Sequence, residues 1–184
     1  MSPESARLFV ALELPGPVRD ALARWAERQL ETVSGLRVID AAALHVTLCF
    51  LGSRPVGEID RIASESSTVA DEAEIPLALG EPLWLPRRRP RALAVALEDS
   101  GDRLAGLQSR LAGALGAGGF YAERRPFLGH VTVGRVGRGA RVRPIELAAP
   151  APLRFSAGAV TLFRSRTGRA GARYEPLATV QLRR

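Results

Sequence analysis

The triplet His45-Val46-Thr47 recurs as His130-Val131-Thr132, 85 residues further on, and these triplets contain both histidines of the chain. The tetrapeptide Val10-Ala11-Leu12-Glu13 recurs at the same spacing as Val95-Ala96-Leu97-Glu98. Leu22, Leu30 and Gly52 map by the same shift onto Leu107, Leu115 and Gly137. A single shift therefore aligns a strand, a helix and a second strand. We read this as an ancient duplication, with repeat units at about 7–85 and 91–182 inside one domain spanning 1–184. Two similar units of this size can pair across a pseudo-two-fold axis and leave a cleft between them.

The local patterns agree with a repeated unit. Leu8 to Leu14 is an apolar, strand-length run that stops at Pro15-Gly16-Pro17. Residues 17–32 carry Val18, Leu22, Trp25, Ala26, Gln29 and Leu30 at helical spacing. In the second unit Ala92 to Leu97 is the strand, Ser100 the expected N-cap, and 101–115 the helix, with Leu104, Leu107, Leu111 and Leu115 on one face. Gly116-Ala117-Gly118-Gly119 ends that helix rather than opening one, so it is a stop signal and not a phosphate-binding loop. Residues 57–73 predict a further helix, and 75–85 a strand broken at Gly80 and Pro82. Residues 136–154 predict a loop, and 156–163 and 173–182 two closing strands around a Gly/Arg loop at 164–171. Strands mixed with helices and closed by a hairpin predict an α+β fold with a largely antiparallel sheet.

Composition narrows the function. With 46% apolar and 24% charged residues the chain is ordinary globular protein. No run approaches the roughly 18 apolar residues of a membrane span. The first residues lack the basic start and apolar stretch of a secretory signal, so a cytoplasmic protein is expected. One cysteine, Cys49, excludes an internal disulfide and any zinc site needing two or more cysteines. All basic residues are arginine, which speaks of genomic codon usage as much as of binding. Their distribution says more. Residues 1–85 hold seven Arg against thirteen acids, whereas 86–184 hold nineteen Arg against six acids. That asymmetry suggests a phosphate-bearing partner for the second half.

Alternation along a strand puts His45 and Thr47 on one face and Leu44, Val46 and Leu48 on the other. The same holds for His130 and Thr132 against Val131 and Val133. Two polar faces opposed across a cleft bring two imidazoles and two hydroxyls around one small volume. That set suits in-line displacement at phosphorus. One neutral imidazole takes a proton from the attacking oxygen, and one protonated imidazole gives a proton to the leaving oxygen. The threonine hydroxyls donate to the non-bridging oxygens. The scheme needs no cofactor and no metal, and no acidic residue in either triplet completes a zinc site. A serine hydrolase is disfavoured because no Gly-x-Ser-x-Gly elbow exists. By parity Cys49 shares the face of Thr47, which makes a nucleophile beside His45 conceivable; a small buried residue is the plainer reading. From the residues alone, the two histidines are equivalent.

At these residues the chain resembles the two-histidine phosphoesterases, specifically the RNA 2′,3′-cyclic phosphodiesterases also called 2′-5′ RNA ligases. The resemblance runs through Arg7 to Leu12 with Leu14-Pro15, Leu44 to Leu48 with Phe50-Leu51-Gly52, Pro90 to Leu93, Arg125-Pro126-Phe127, His130 to Arg135 and the ending Leu162 to Leu177 with Gly171 to Leu177. It implies a bilobal fold with a central cleft and metal-independent opening of a 2′,3′-cyclic phosphate to a 2′-phosphate, with reversible 2′-5′ ligation as the same chemistry run backward. It implies His45 as general acid, His130 as general base, and Thr47, Thr132 and Arg135 as phosphate-binding residues. Phe9, on the Arg7/Ala11 face, is a candidate for stacking on a base. The implied partner is RNA or a nucleotide ending in a 2′,3′-cyclic phosphate, bound by a monomer that needs no membrane. Arg87-Arg88-Arg89-Pro90-Arg91 and the arginines of 164–173 are candidates to guide an RNA strand. One departure is Gly129, where the family often has proline. The alternatives are a non-catalytic RNA- or phosphate-binding module and a phosphodiesterase acting on a small cyclic nucleotide.

Overall fold

The computed structural model describes residues 4–30, 33–123, 125–168 and 171–184. Its strands are β1 (Ser5–Glu13), β2 (Leu36–Val38), β3 (His45–Pro55), β4 (Ile75–Leu85), β5 (Ala92–Glu98), β6 (His130–Val136), β7 (Arg154–Ala157), β8 (Ala159–Gly168) and β9 (Gly171–Gln181). Its α-helices are α1 (Gly16–Leu30), α2 (Ile59–Ser66) and α3 (Arg103–Ala117). Among the described residues the nine strands form one sheet in the order β7-β4-β5-β6-β3-β1-β8-β9, with β2 added on β6. Every strand pair in it is antiparallel. The α+β class is therefore as expected. Among the described residues no helix is long and apolar enough to cross a membrane.

One face of the sheet carries the core. Leu8, Val10 and Leu12 of β1, Val46 and Leu48 of β3, Leu93 and Val95 of β5, and Val131 and Val133 of β6 join one cluster with the inward leucines of α3 and with Val18, Leu22 and Trp25 of α1. Fully burying each such side chain contributes about 1.5–3 kcal/mol, which holds this face of the sheet against the helices. The other face is left open, and it carries the polar residues of the His-x-Thr strands.

Strands β3 and β6 meet at the middle of the sheet, and the pair in register is Val46 with Val131. These two residues are 85 apart, the spacing that separates the two triplets. The outer strands are exchanged. β4 is the next strand after β3 in sequence but pairs with β5, while β8, which comes after β6 and β7, pairs with β1. The spatial halves are thus β3-β1-β8-β9 and β6-β5-β4-β7, and they do not coincide with the two stretches of sequence.

Several details differ from the expectations. Ser100 does not cap α3. The carboxylate of Asp99 accepts from the amides of Arg103 and Leu104 at 3.0 and 2.8 Å, reaching over a turn in which Gly101 and Asp102 take positive φ. The expected helix 57–73 is α2 flanked by two short 3₁₀ turns. The strand 75–85 is not broken; it bulges between Leu79 and Pro82 and continues. The Gly/Arg loop expected at 164–171 is mostly ladder, since β8 and β9 stay paired as far as Gly168 and Gly171. Residues 169–170 of that expected loop lie outside the described residues. The 136–154 stretch is irregular up to β7, as expected, and two indoles fasten it. Trp25 Nε1 donates to the Ala148 carbonyl at 3.0 Å and Trp84 Nε1 to that of Ile145 at 2.8 Å. The short strand β2 had no signal in the apolar pattern.

Candidate active site

Both histidines begin their strands and both are half-buried on the open face. Each is held the same way. His45 Nδ1 donates to the carbonyl of Ala43 at 2.8 Å, and His130 Nδ1 donates to that of Leu128 at 2.8 Å. The acceptor lies two residues upstream in each case, so the anchors obey the 85-residue spacing too. Each bond fixes the Nδ1–H tautomer and leaves Nε2 as the working nitrogen. In His45 that nitrogen accepts from the Thr47 hydroxyl at 3.0 Å. The antiparallel pairing of Val46 with Val131 makes the middle residues of the two triplets neighbours across the sheet. The two triplets are thus brought to one place.

Arg135 also reaches this place, by a route that simple alternation does not allow. Five residues separate it from His130, which on a regular strand puts it on the opposite face. In β6, however, Leu93 of β5 faces Gly134 while Ala94 faces Thr132, so Val133 is an extra residue. This bulge sends Gly134 to the core side and Arg135 to the open face. β3 has the same bulge 85 residues earlier: Val10 faces Cys49 while Ala11 faces Thr47, so Leu48 is extra. There it turns Cys49 into the core and Phe50 out, 49% exposed.

Cys49 is consequently not on the face of Thr47. It is fully buried, and burial pushes its thiol up to about 12, opposed only weakly by Gln108. A thiol so held is not a nucleophile at neutral pH. Cys49→Ala is expected to keep catalytic turnover within about twofold, and an alkylating reagent to leave the native protein active. A thiol-dependent loss of activity in either measurement would contradict this placement.

The two histidines differ in their surroundings. His45 stands in an aromatic cluster: its ring centroid is 4.9 Å from that of Phe9, 5.1 Å from Tyr174, which meets it edge-on at 88°, and 6.4 Å from Phe163. A cavity of about 220 Å³ beside it is lined by Glu13, Arg19, Ala43, Phe163 and Tyr174 among others. Burial here lowers the His45 pKa below its ordinary value of 6.5; the Ala43 hydrogen bond opposes this, and the charges of Arg135 and His130 add to it. His130 has a different floor, because the β5 residues on its face are Ala92, Ala94 and Ala96.

Phe9 is corrected in its role. It is only 4% exposed, and its ring is occupied by His45, Phe163 at 5.3 Å and Tyr174 at 5.0 Å. It packs the wall of the site and has no open face for a base. Phe163, Tyr174 and Phe50 were not anticipated as site residues. Phe50 presents its ring on the open face with the Arg7 guanidinium 4.9 Å from its centroid. The period-two signal was present for Phe163 and Tyr174, but the closing strands carried no motif to mark them. Gly129 has a packing reason: a Cβ there would come 2.8 Å from Leu104 Cδ2 of α3, in a fully packed part of the core.

The 2′-5′ RNA ligase superfamily profile matches residues 15–169. An RNA 2′,3′-cyclic phosphodiesterase of Escherichia coli K12 is 28% identical over 177 residues, 95% of each chain. One of Archaeoglobus fulgidus is 29% identical over 132 residues, 72% of this chain and 73% of that one. In structure the chain is similar to E. coli LigT, crystallised with 3′-AMP, at a TM-score of 0.83 and 24% identity over 98% of this chain and all of that one. With this match over most of its length, and with the same antiparallel α+β architecture, the chain belongs to the 2′-5′ RNA ligase superfamily.

Proposed function

We propose that this protein is a phosphoric diester hydrolase that opens an RNA 2′,3′-cyclic phosphate to a 2′-phosphate without a metal ion. The observation that supports this reading best is the matched anchoring of two imidazoles on neighbouring strands, each held through Nδ1 so that Nε2 is the nitrogen left for proton transfer. The similarity to two RNA 2′,3′-cyclic phosphodiesterases supports the substrate class.

In the proposed reaction His130 Nε2 takes a proton from water as the water oxygen bonds to phosphorus. The P–O3′ bond breaks, and His45 Nε2–H protonates the leaving 3′-oxygen. The product carries a 2′-phosphate and a free 3′-hydroxyl, and the proton returns from His130 to His45 through solvent. His45 begins this cycle by binding a proton, although burial, and after it the charges of Arg135 and His130, disfavour that in the free protein. An anionic phosphate between those groups cancels their charge, so substrate binding and proton uptake go together. Once His45 is protonated, the Thr47 hydroxyl no longer donates to it and turns to a non-bridging oxygen. Thr132 and Arg135 complete the phosphate cradle. Two imidazoles perform both proton transfers, so no metal-activated water is needed. Attack by a 5′-hydroxyl on the same cyclic phosphate gives 2′-5′ ligation. The same proposal treats residues 1–184 as one unit made of two diverged repeats, supported by the pairing of Val46 with Val131 and by the matching carbonyl anchors and bulges.

The test is hydrolysis of an oligoribonucleotide ending in a 2′,3′-cyclic phosphate, in EDTA, with the phosphate position of the product determined by NMR. Turnover to a 2′-phosphate at an undiminished rate is expected. A 3′-phosphate product, or activity that returns only with a divalent ion, would refute the mechanism.

A further inference from the structure

Strand β2 is only three residues long and, among the described residues, pairs with β6 alone. Its middle residue, Arg37, stands directly opposite Arg135. Residues opposite one another in an antiparallel ladder share a face, and their Cα atoms lie roughly 5 Å apart. The bulge at Val133 places Arg135 on the open face, so Arg37 is on that face too. Its neighbours agree: Leu36 and Val38 pack against the core, and Arg37 is exposed. Like charges directly opposite each other weaken a sheet. Among the described residues neither arginine has an ion pair, while Arg54, Arg110, Arg125, Arg164 and Arg166 each have one. The nearest acid in sequence, Asp40, accepts from the Ala42 amide at 2.9 Å. Two arginines paired in register on the open face, neither with an ion pair among the described residues, suit two neighbouring anions. A polynucleotide end supplies two such anions, the reacting phosphate and the phosphodiester before it.

We propose that Arg37 and Arg135 form a clamp in which Arg135 holds the reacting phosphate and Arg37 the next phosphodiester of the chain, so that the preferred substrate is an oligonucleotide rather than a mononucleotide. This rests on the hydrolase reading above. Arg37 is a specificity residue: it does not touch the reacting atoms, and its contribution is to binding of the longer substrate.

The experiment compares a trinucleotide ending in a 2′,3′-cyclic phosphate with the corresponding mononucleotide 2′,3′-cyclic phosphate. The proteins are wild type, Arg37→Gln, Arg37→Lys and, as a charge-matched control, Arg110→Gln on the far surface of α3. In Arg37→Gln the ratio of kcat/KM for trinucleotide over mononucleotide is expected to fall about tenfold, mainly through KM. The slope of log binding against log salt for the trinucleotide falls by about 0.7, the value for one phosphate contact on a single strand. Arg37→Lys keeps most of the slope, and Arg110→Gln keeps the ratio. The Tm of Arg37→Gln is expected at or above that of wild type, because a repulsion has been removed. Equal losses on both substrates, or no change in the ratio, would overturn the clamp. If wild type turns over neither substrate the hydrolase reading fails. The clamp is then still decided by the dissociation constants of a 2′-phosphorylated trinucleotide and mononucleotide, with the same tenfold change in their ratio as criterion.

Discussion

Replacing His130 with glutamine is expected to lower kcat/KM for a 2′,3′-cyclic phosphate by about 10²–10⁴, the usual worth of one positioned proton transfer. His45→Gln is expected to do the same. Glutamine suits both positions because its amide can still donate to the Ala43 or Leu128 carbonyl while it cannot exchange a proton near neutral pH. It also keeps volume between Phe9, Phe163 and Tyr174, where alanine would leave a gap at His45. The double variant is expected to be far better than the product of the two single losses, since the groups act as one acid–base pair. Steady-state release of 2′-phosphate measures all three, with circular dichroism to show that the fold is retained. Activity within tenfold of wild type in either single variant would place that proton transfer elsewhere.

Arg135→Gln is the second large effect, with an expected loss of about 10²–10³, as for removal of one donor to a developing oxyanion. It carries a second readout that a merely structural residue would not give. Arg135 helps to hold the His45 pKa below 6.5, so its removal moves that pKa upward, which an imidazole NMR titration of the free protein will show. The sign extends to stability. As pH falls from about 6.5, the unfolded chain takes up the His45 proton before the folded one does. Folding stability is therefore full above that pH and declines as pH drops through the lowered pKa. Arg135→Gln narrows this window. Loss of activity with an unmoved His45 titration would mean that Arg135 lies too far from His45 to share a phosphate with it.

Much of this site was legible in residues alone because its parts obey local rules. His45, Thr47, His130 and Thr132 are separated by two, so a period-two strand is enough to set each pair on one face. The helix over residues 101–115 was readable from four leucines, and its stop from a glycine run. Arg135, Cys49 and Phe50 were not readable in the same way. Their faces depend on one inserted residue in each ladder, Leu48 or Val133, and an inserted valine or leucine leaves no mark in the apolar pattern. The resemblance to a family reached Arg135 where alternation alone would have turned it inward. Phe9 shows the opposite failure: its face was right, but nothing local says that Phe163 and Tyr174 from the far end of the chain close over it. Arg37 had no signal either, since a three-residue strand is too short for a period, and its meaning comes only from the partner across from it.

The exchange of outer strands has a consequence for how the molecule comes to exist. β1 is synthesised long before β8, yet they lie side by side, with Leu12 facing Val160 and Arg7 facing Ser165. Pairings so remote in sequence raise the contact order, and chains of that kind fold slowly because loop closure must precede the contacts that reward it. Until β8 arrives, β1 has one free edge, the type of edge that recruits other chains. The wall of rings around His45 has the same dependence, because Phe163 and Tyr174 come from β8 and β9. An incomplete chain therefore holds both His-x-Thr strands without the enclosure that tunes the first of them, and catalytic competence is acquired late, in the closing step of assembly.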